Sequence, residues 1–371
     1  MKNLAIIGAS YLQLPLISRA KELGYTTRVF SWAADHEGKQ AADYFYPVSV
    51  TEKEEILAQC RKIGVAGVCS IASDLAAVTV NYVASGLGLP GNSLDCTLKS
   101  TNKRRMREAF RENGDPSPES LEVDGETDLS RLALSYPVIV KPTDRSGSRG
   151  ICKLEGPAGL EAAVRAALAE SFEKKALIEE FAEGEEYSVE GISFRGHHQI
   201  LAVTKKFTTG APHFVETGHL EPAGLDTETQ GRIRRVVLHA LDSLGITDSA
   251  SHSEIKIDGQ GNIRIIEIGG RMGGDCIGSH LVRYSTGIDF VRAVIQVACG
   301  EAPDLSPVGR PMPAEVKYLF TEADVAEMNR DRAGGRLLEQ VAFFPENLGK
   351  ATDSSNRAGC YIRRASCRSL D

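Results

Sequence analysis

Ser253-Glu254-Ile255-Lys256-Ile257, Asp258-Gly259-Gln260-Gly261-Asn262 and Ile263-Arg264-Ile265-Ile266-Glu267-Ile268-Gly269-Gly270-Arg271 run consecutively through this 371-residue chain. Isoleucine-rich flanks around a linker of turn residues predict a β-hairpin. A turn centred between Gln260 and Gly261 sets Glu254 opposite Glu267, with Cβ atoms about 5 Å apart. Two carboxylates that close repel unless a cation or a proton lies between them. Paired carboxylate oxygens suit Mg²⁺, which also takes water and phosphate oxygens. Taken alone, the hairpin reads more simply as two solvated surface glutamates, so the flanking sequence has to decide.

Upstream, residues 1–95 alternate strand and helix. Strands are expected at 4–7, 26–30 and 65–71, with helices near 52–62 and 75–84. Leu12, Leu16, Ile17, Ala20 and Leu23 share one helical face. This is the pattern of a parallel α/β unit. Its Gly8-x-Ser10-x-x-Gln13 turn is short of the full dinucleotide fingerprint, although Asp35 follows at a ribose-contacting distance. The plainer reading is a tight turn from strand into helix. Within residues 97–120, Lys99 to Arg111 reads as one basic helix ending at Asn113-Gly114, with Arg104, Arg105, Arg107 and Arg111 on a solvated face and Lys103 a candidate phosphate contact.

A buried strand near 137–142 ends in Lys141, and Ser146-Gly147-Ser148-Arg149-Gly150 follows. Glycines let successive N–H groups point inward, serines add hydroxyls and arginine adds charge, a composition suited to an anion. The loop lacks the Gly-Lys-Ser/Thr ending of a Walker loop. After a helix near 157–172, a strand at 176–179 runs out into Glu179-Glu180-Phe181-Ala182-Glu183-Gly184-Glu185-Glu186. Such a linker can offer backbone groups to an adenine edge and a carboxylate to ribose, or be an acidic solvated loop. Strands near 186–194 and 199–206 and a core-facing helix at 228–245 lead into the hairpin. Pro212-His213-Phe214-Val215-Glu216-Thr217-Gly218-His219 reads as a loop in which Glu216 and His219 converge on a shared group. Strands near 314–320 and 360–363 close the chain. His197-His198 reads as a surface pair.

The ordered set Lys103, Lys141, glycine loop, Glu179-Glu180-Phe181-Ala182, Glu186, Glu254, Glu267 resembles the ATP-grasp family over residues 1–300. The resemblance implies an α/β and α+β protein: a Rossmann-like pre-ATP-grasp domain, then a two-lobed ATP-grasp domain. The expected divisions are 1–95, 96–180 (linker helix and small lobe), 181–300 (large lobe) and 301–371 completing that lobe. It implies ATP, with Lys103 and Lys141 on phosphates and Ser146, Gly147, Ser148 and Gly150 closing over them. Glu179, Glu180, Phe181 and Ala182 would meet adenine, Glu186 the ribose, and Glu254 and Glu267 two Mg²⁺ ions, which Mn²⁺ could replace. Many members carry asparagine two residues after the second metal glutamate, where this chain has Gly269.

Phe-Val-Glu-x-Gly-His at 214–219, Glu221-Pro222-Ala223 and Glu267-Ile-Gly-Gly-Arg271-Met-Gly-Gly-Asp275 resemble the L-amino-acid ligase branch, and 353–359 is compatible with it. That branch implies a carboxylate–amine ligase working through an acyl phosphate on small-molecule substrates. Arg271 would meet the acyl intermediate, and Glu216 and His219 the amine. The competing expectations are a carboxylase or carbamoyl-phosphate type enzyme using bicarbonate, a non-catalytic nucleotide-binding protein, and an oxidoreductase built on Gly8.

Composition is consistent with this reading. Apolar content of 42% and charged content of 25% are ordinary for a globular protein, and the net charge of −7 argues against nucleic acid. No apolar run is long enough to span a bilayer, and the N-terminus reads as a first strand rather than a signal peptide. The eight cysteines form no Cys-x-x-Cys pair, which fits a reducing cytoplasm. The family is compatible with a homodimer.

Overall fold

The computed structural model describes residues 2–365 apart from 146, 148, 212, 213, 352 and 353. Ser146 and Ser148 of the glycine loop therefore lie outside the described residues.

Residues from the first third form a parallel sheet in the order Tyr44–Tyr46, Thr26–Phe30, Asn3–Ile7, Val65–Cys69. Leu14–Glu22 buries Leu16, Ile17 and Ala20 from the predicted apolar face. Gly8 turns off the first strand at φ +105°. Gln13 then bonds both backbone groups of Ile71, its amide donating to the carbonyl and its oxygen accepting from the N–H. The Gly8 turn is thus filled by Gln13, in keeping with the tight-turn reading. Phe290–Ala298, late in the chain, returns to this core and packs Phe290, Val294 and Val297 with Leu4, Ile6 and Ile17.

The basic segment is two helices rather than one, Leu94–Thr101 and Lys103–Asn113. Asn102 is extended (φ −112°, ψ 115°) and its side chain accepts from Arg105 N, so it caps the second helix. Lys103 consequently starts a helix instead of sitting within one. The expected solvated arginine face is also wrong at Arg107, which is 4% exposed.

Ser120–Val123, Ala176–Glu180, Val138–Pro142 and Cys152–Leu154 form a four-stranded antiparallel sheet, backed by Leu160–Glu170. The third sheet has eight antiparallel strands: Ile263–Gly269, Ser249–Ile257, Glu185–Phe194, His197–Thr208, Glu216–Glu221, Ala314–Tyr318, Gly359–Arg364 and Leu337–Phe343. Thr227–Leu244 and Lys103–Asn113 bury one side of it through Ile233, Val237, Leu241, Met106 and Phe110. The strand Leu337–Phe343 and the helix Glu322–Ala333 were not anticipated. His197 is exposed as expected, but the His198 side chain is only 5% exposed, held between Ser193 and Asp242.

The hairpin pairs Glu254 with Glu267, but by a different route from the one the turn alone suggests. Next to the turn, Ile257 pairs Ile263 and Ile255 pairs Ile265, a register centred on Gln260. A register shift then leaves Ile266 extra and brings Glu267 opposite Glu254. Because strand side chains alternate, an unbulged strand would put Glu267 on the core face with Ile263 and Ile265. The bulge turns it to the other face and returns Ile268 to the core. Arg107 Nη2 donates to the Ile266 carbonyl at 2.7 Å, giving the bulge a buried partner.

Candidate active site

Two adjoining cavities collect most of the residues singled out by sequence. The first, about 110 Å³, is lined by Lys103, Lys141, Glu179, Glu180, Phe181, Ala182, Glu186, Glu216, Glu254 and Glu267. The second, about 320 Å³, is lined by Gly147, Glu216, His219, Glu254 and Arg271 among others. Gly150 lines neither.

At the first cavity, Lys141 at the end of its strand ion-pairs Glu179 at 2.6 Å, and Arg107 pairs the same carboxylate at 2.9 Å. All three side chains are 5% exposed or less. Burial alone would raise the Glu179 carboxyl, but Arg107 and Lys141 outweigh it and hold it below its ordinary value. Burial, with Arg107 and Lys103 nearby, lowers the Lys141 ammonium despite Glu179. The Glu179 side chain thus fixes two cations on the wall of the first cavity. The backbone of the linker is engaged too: Glu180 N donates to Glu119 O and Phe181 N to Pro137 O, while Lys256 Nζ donates to Ala182 O. Lys153 and Lys256 ammoniums lie 4.0 and 4.6 Å from the Phe181 ring centroid.

Glu267 and Glu254 each meet a lysine through one oxygen. Lys103 Nζ lies 3.0 Å from Glu267 Oε1 and also donates to Arg145 O. Lys206 Nζ lies 2.6 Å from Glu254 Oε1 and 2.8 Å from Glu186 Oε1. Burial lowers the Lys206 ammonium, but Glu186, Glu254 and Glu216 together raise it well above its usual value. The Oε2 atoms of both glutamates have no bonded partner among the described residues. Two hard oxygen donors facing one cavity, beside lysines that could turn to phosphates, fit a Mg²⁺–nucleotide complex. No group of three or more metal-type side chains occurs among the described residues, so phosphate and water oxygens would complete the shell.

The place of Gly269 also has a steric reading. A Cβ there would lie 3.1 Å from Asp74 Oδ1 and 3.4 Å from Arg271 Cζ. The space an asparagine would need is taken by the Asp74–Arg271 pair, whose two bonds measure 2.7 and 2.9 Å. Asp74 comes from the parallel-sheet unit, so Arg271 is fixed across the two halves of the protein.

Glu216 and His219 lie on a strand, Glu216–Glu221, not in a loop. Strand alternation would send them to opposite faces. A register shift skips Thr217: Lys206 pairs His219, Phe207 pairs Gly218, and Thr208 pairs Glu216. Glu216, His219 and Lys206 therefore share a face. Glu216 accepts from Ser354 Oγ, and burial, opposed by Lys206, raises its carboxyl above the usual range. His219 is 1% exposed, stacks edge-on to Tyr318 at 5.5 Å, and neither ring nitrogen has a hydrogen-bond partner among the described residues. Burial pushes the imidazole down to about 3. It stays neutral at physiological pH but is a weak base, so it suits accepting a hydrogen bond, whereas Glu216 suits accepting a proton.

This has a stability consequence. In the unfolded chain His219 takes a proton below about pH 6.5, while the folded protein refuses it until about pH 3. Stability is lost as pH falls through that window, by up to about 1.4 kcal/mol per pH unit. Urea unfolding between pH 7 and 5 should show a shallower pH slope in His219→Gln than in the parent. Equal slopes would mean that His219 takes up its proton over the same pH range in the fold as in the unfolded chain.

Sequence reasoning missed Lys206, Asp74, His252, Asp275 and Arg357, all on the wall of the second cavity. Arg357 Nη2 donates to both Asp275 oxygens at 2.8 Å and its guanidinium lies 3.7 Å over the Tyr318 ring. His252 bonds the fully buried Glu190, which also accepts from Gly273 N at 3.0 Å. A Cβ at Gly273 would come within 2.6 Å of His252 Nδ1, so glycine is required there. Lys206 had a weak signal, since it is two residues from the inward-facing Thr204 on one strand. The other four are placed by long-range contacts that no local pattern reports.

Residues 134–279 match the profile of the ATP-grasp domain. The chain is 26% identical over 304 residues to alanine–anticapsin ligase of Bacillus subtilis (strain 168), covering 72% of this chain and 64% of that protein. It is 25% identical over 337 residues to carnosine synthase 1 of Mus musculus, covering 82% of this chain and 40% of that one. It therefore spans under two thirds of either relative's length. Among solved structures, L-amino acid ligase from Bacillus licheniformis superposes with TM-score 0.84 at 25% identity, over 99% of this chain and 94% of that one.

Proposed function

We propose that this chain, an ATP-grasp protein, is an ATP-dependent ligase that joins a carboxylate to an amine. The observation that carries the reading is the meeting of two chemistries: Lys206, Glu216 and Glu254 line both cavities at once. One side offers lysines and a carboxylate pair suited to a nucleotide's phosphates. The other offers an acceptor pair suited to an amine, and arginines, Arg271 and Arg357 among them, suited to carboxylate oxygens. The ligases it is similar to support the same class.

In this reading a carboxylate oxygen of the acid attacks the γ-phosphorus of ATP, and ADP leaves. The amine nitrogen then attacks the acyl carbon, the carbonyl re-forms and inorganic phosphate leaves. Mg²⁺ held by Glu254 and Glu267 would supply charge neutralisation on the phosphates. Lys103, Lys141 and Lys206 add positive charge where negative charge builds up. Exchange of the Lys103–Glu267 and Lys206–Glu254 pairs for phosphate contacts accompanies nucleotide entry. Arg271, held rigid by Asp74, faces the acyl oxygen. Glu216 takes a proton from the substrate ammonium, freeing the amine to attack, while His219 orients it. Ala182 and its neighbours meet adenine through the backbone and Glu186 meets the ribose.

Seven free cysteines among the described residues favour a reducing, cytoplasmic setting. No described helix is long and apolar enough to cross a membrane. A homodimer is part of the same proposal, and light scattering would test it.

The test is a matrix of carboxylates and amines with ATP and Mg²⁺, scored by phosphate release and product mass. An amide product is expected, one per ATP consumed. Phosphate release stimulated by bicarbonate alone would instead favour the carboxylase alternative, and nucleotide binding with no turnover a regulator.

A further inference from the structure

We propose that Arg357 is a positioning residue for the amine end of the site, holding Glu216, His219 and the turn at Asp275 in place against one another. This rests on the ligase reading above and deepens it, because the carboxylate that the Arg357 fork serves is the protein's own Asp275.

The strand that carries the acceptor pair creates the need for a hold. Glu216 and His219 share a face only because the register skips Thr217. A bulge interrupts the ladder and bends its strand, so pairing alone fixes the residue beyond it less firmly. That residue is Glu216, the first of its strand. Its carboxylate accepts from Ser354 Oγ, while Lys206 Nζ stands 3.9 Å away. His219 is oriented by a ring contact, since neither of its nitrogens is hydrogen-bonded to a described residue.

Arg357 reaches each part of this arrangement. Its Nε donates to the Ser354 carbonyl at 2.9 Å, fixing the residue whose hydroxyl holds Glu216. Its Nη1 donates to the Glu216 carbonyl at 3.5 Å, a contact between positions 141 residues apart. The guanidinium covers one face of the Tyr318 ring, and His219 packs edge-on against that same ring. Its Nη2 bonds both Asp275 oxygens, and the Tyr318 hydroxyl donates to the Asp275 carbonyl at 2.9 Å. Asp275 lies at φ +53°, a conformation that L residues seldom adopt and that surrounding contacts must hold. The Arg357 side chain is 6% exposed, so little water competes for these bonds. Only a planar guanidinium offers a rigid fork of donors together with a face for an aromatic ring; lysine would keep the charge alone. Arg357 also opposes a neighbouring charge. Burial raises the Glu216 carboxyl and Lys206 lowers it; Asp275 raises it further, and Ser354 and Arg357 lower it.

The test uses the full chain and the acid–amine pair of highest yield from the matrix above, with ATP and Mg²⁺. Arg357→Met should lower kcat/KM for the amine about 10²-fold, the cost of misplacing a reacting group by about 1 Å. The calorimetric Kd of MgADP should stay within about twofold of the parent, because nucleotide binding is separate from amine placement. Equal losses for nucleotide, acid and amine would mark a general structural role and overturn the proposal. A raised KM for the acid with that of the amine unchanged would make Arg357 a direct contact for the acid and overturn it too. Ser354→Ala, a milder change at a half-buried side chain, should raise the amine KM about threefold to tenfold, the worth of one hydrogen bond, and keeps the test open if Arg357→Met does not fold. Adding Asp275→Asn to Arg357→Met removes the stranded carboxylate and should recover the amine only in part; full recovery would reduce Arg357 to a counter-ion. Crystal structures of the parent and of Arg357→Met decide the placement without turnover. Glu216 and His219 displaced from their shared face support the proposal even if no pair is ligated, and both at their parental positions sink it. Failure of the parent to ligate any pair counts against the ligase reading alone.

Discussion

Exchange of Glu267 for glutamine should lower turnover at least about 10²-fold, the loss seen when one preorganised group that stabilises transition-state charge is removed. The substitution keeps size and an oxygen that Lys103 can still meet, and the side chain is 23% exposed, so unfolding is not the expected outcome. What is lost is a negative oxygen opposite Glu254, hence half of the carboxylate pair offered to a divalent cation. Phosphate release in a saturating acid–amine–ATP mixture, with the thermal midpoint measured in parallel, makes the check. Near-parent activity at an unchanged midpoint would remove Glu267 from the metal site.

The second large effect is on stability. Glu179→Ala should cost about 3–5 kcal/mol, the usual result of removing one partner from a buried ion cluster. Lys141 and Arg107 would be left with no carboxylate in an interior where both are at most 5% exposed. Arg107 also holds the Ile266 carbonyl at the hairpin bulge, so its displacement would loosen the placement of Glu267 as well. Chemical denaturation reads the loss directly, and a second variant, Glu179→Gln with Lys141→Met, should recover part of it by removing one stranded cation. A cost below about 0.5 kcal/mol for Glu179→Ala, the size of an ordinary surface change, would mean water reaches the cluster.

The two halves of the site were unequally legible. Glu254, Glu267, Lys141 and the linker at 179–182 could be found because their signals are local: a turn between isoleucine runs, a lysine at a strand end, an acidic run after a buried strand. Glu216 and His219 were found with the wrong geometry. The glycine-containing stretch read as a loop, and the bulge at Thr217 that lets a strand carry both on one face leaves no local mark. The bulge at Ile266 was hidden in the same way, and the register predicted for the glutamates was reached with a different turn centre. Asp74 and Arg271, 197 residues apart, meet through a fork that explains Gly269 as well as any ligand argument does.

The sequence by itself determined three of the four strands of the first sheet (though not its edge strand Tyr44–Tyr46), the hairpin, and the list of ionisable residues from which a nucleotide and amine site could be drawn. Those follow from side-chain period, turn chemistry and residue type, which act within a few positions. Only the tertiary structure decided which carboxylates meet which lysines, that Arg107 is buried, and that Glu179 serves two cations. These depend on single-residue bulges that flip a side chain from one face of a sheet to the other. They depend also on ion pairs between segments far apart in the chain, where burial rather than local propensity sets the energy.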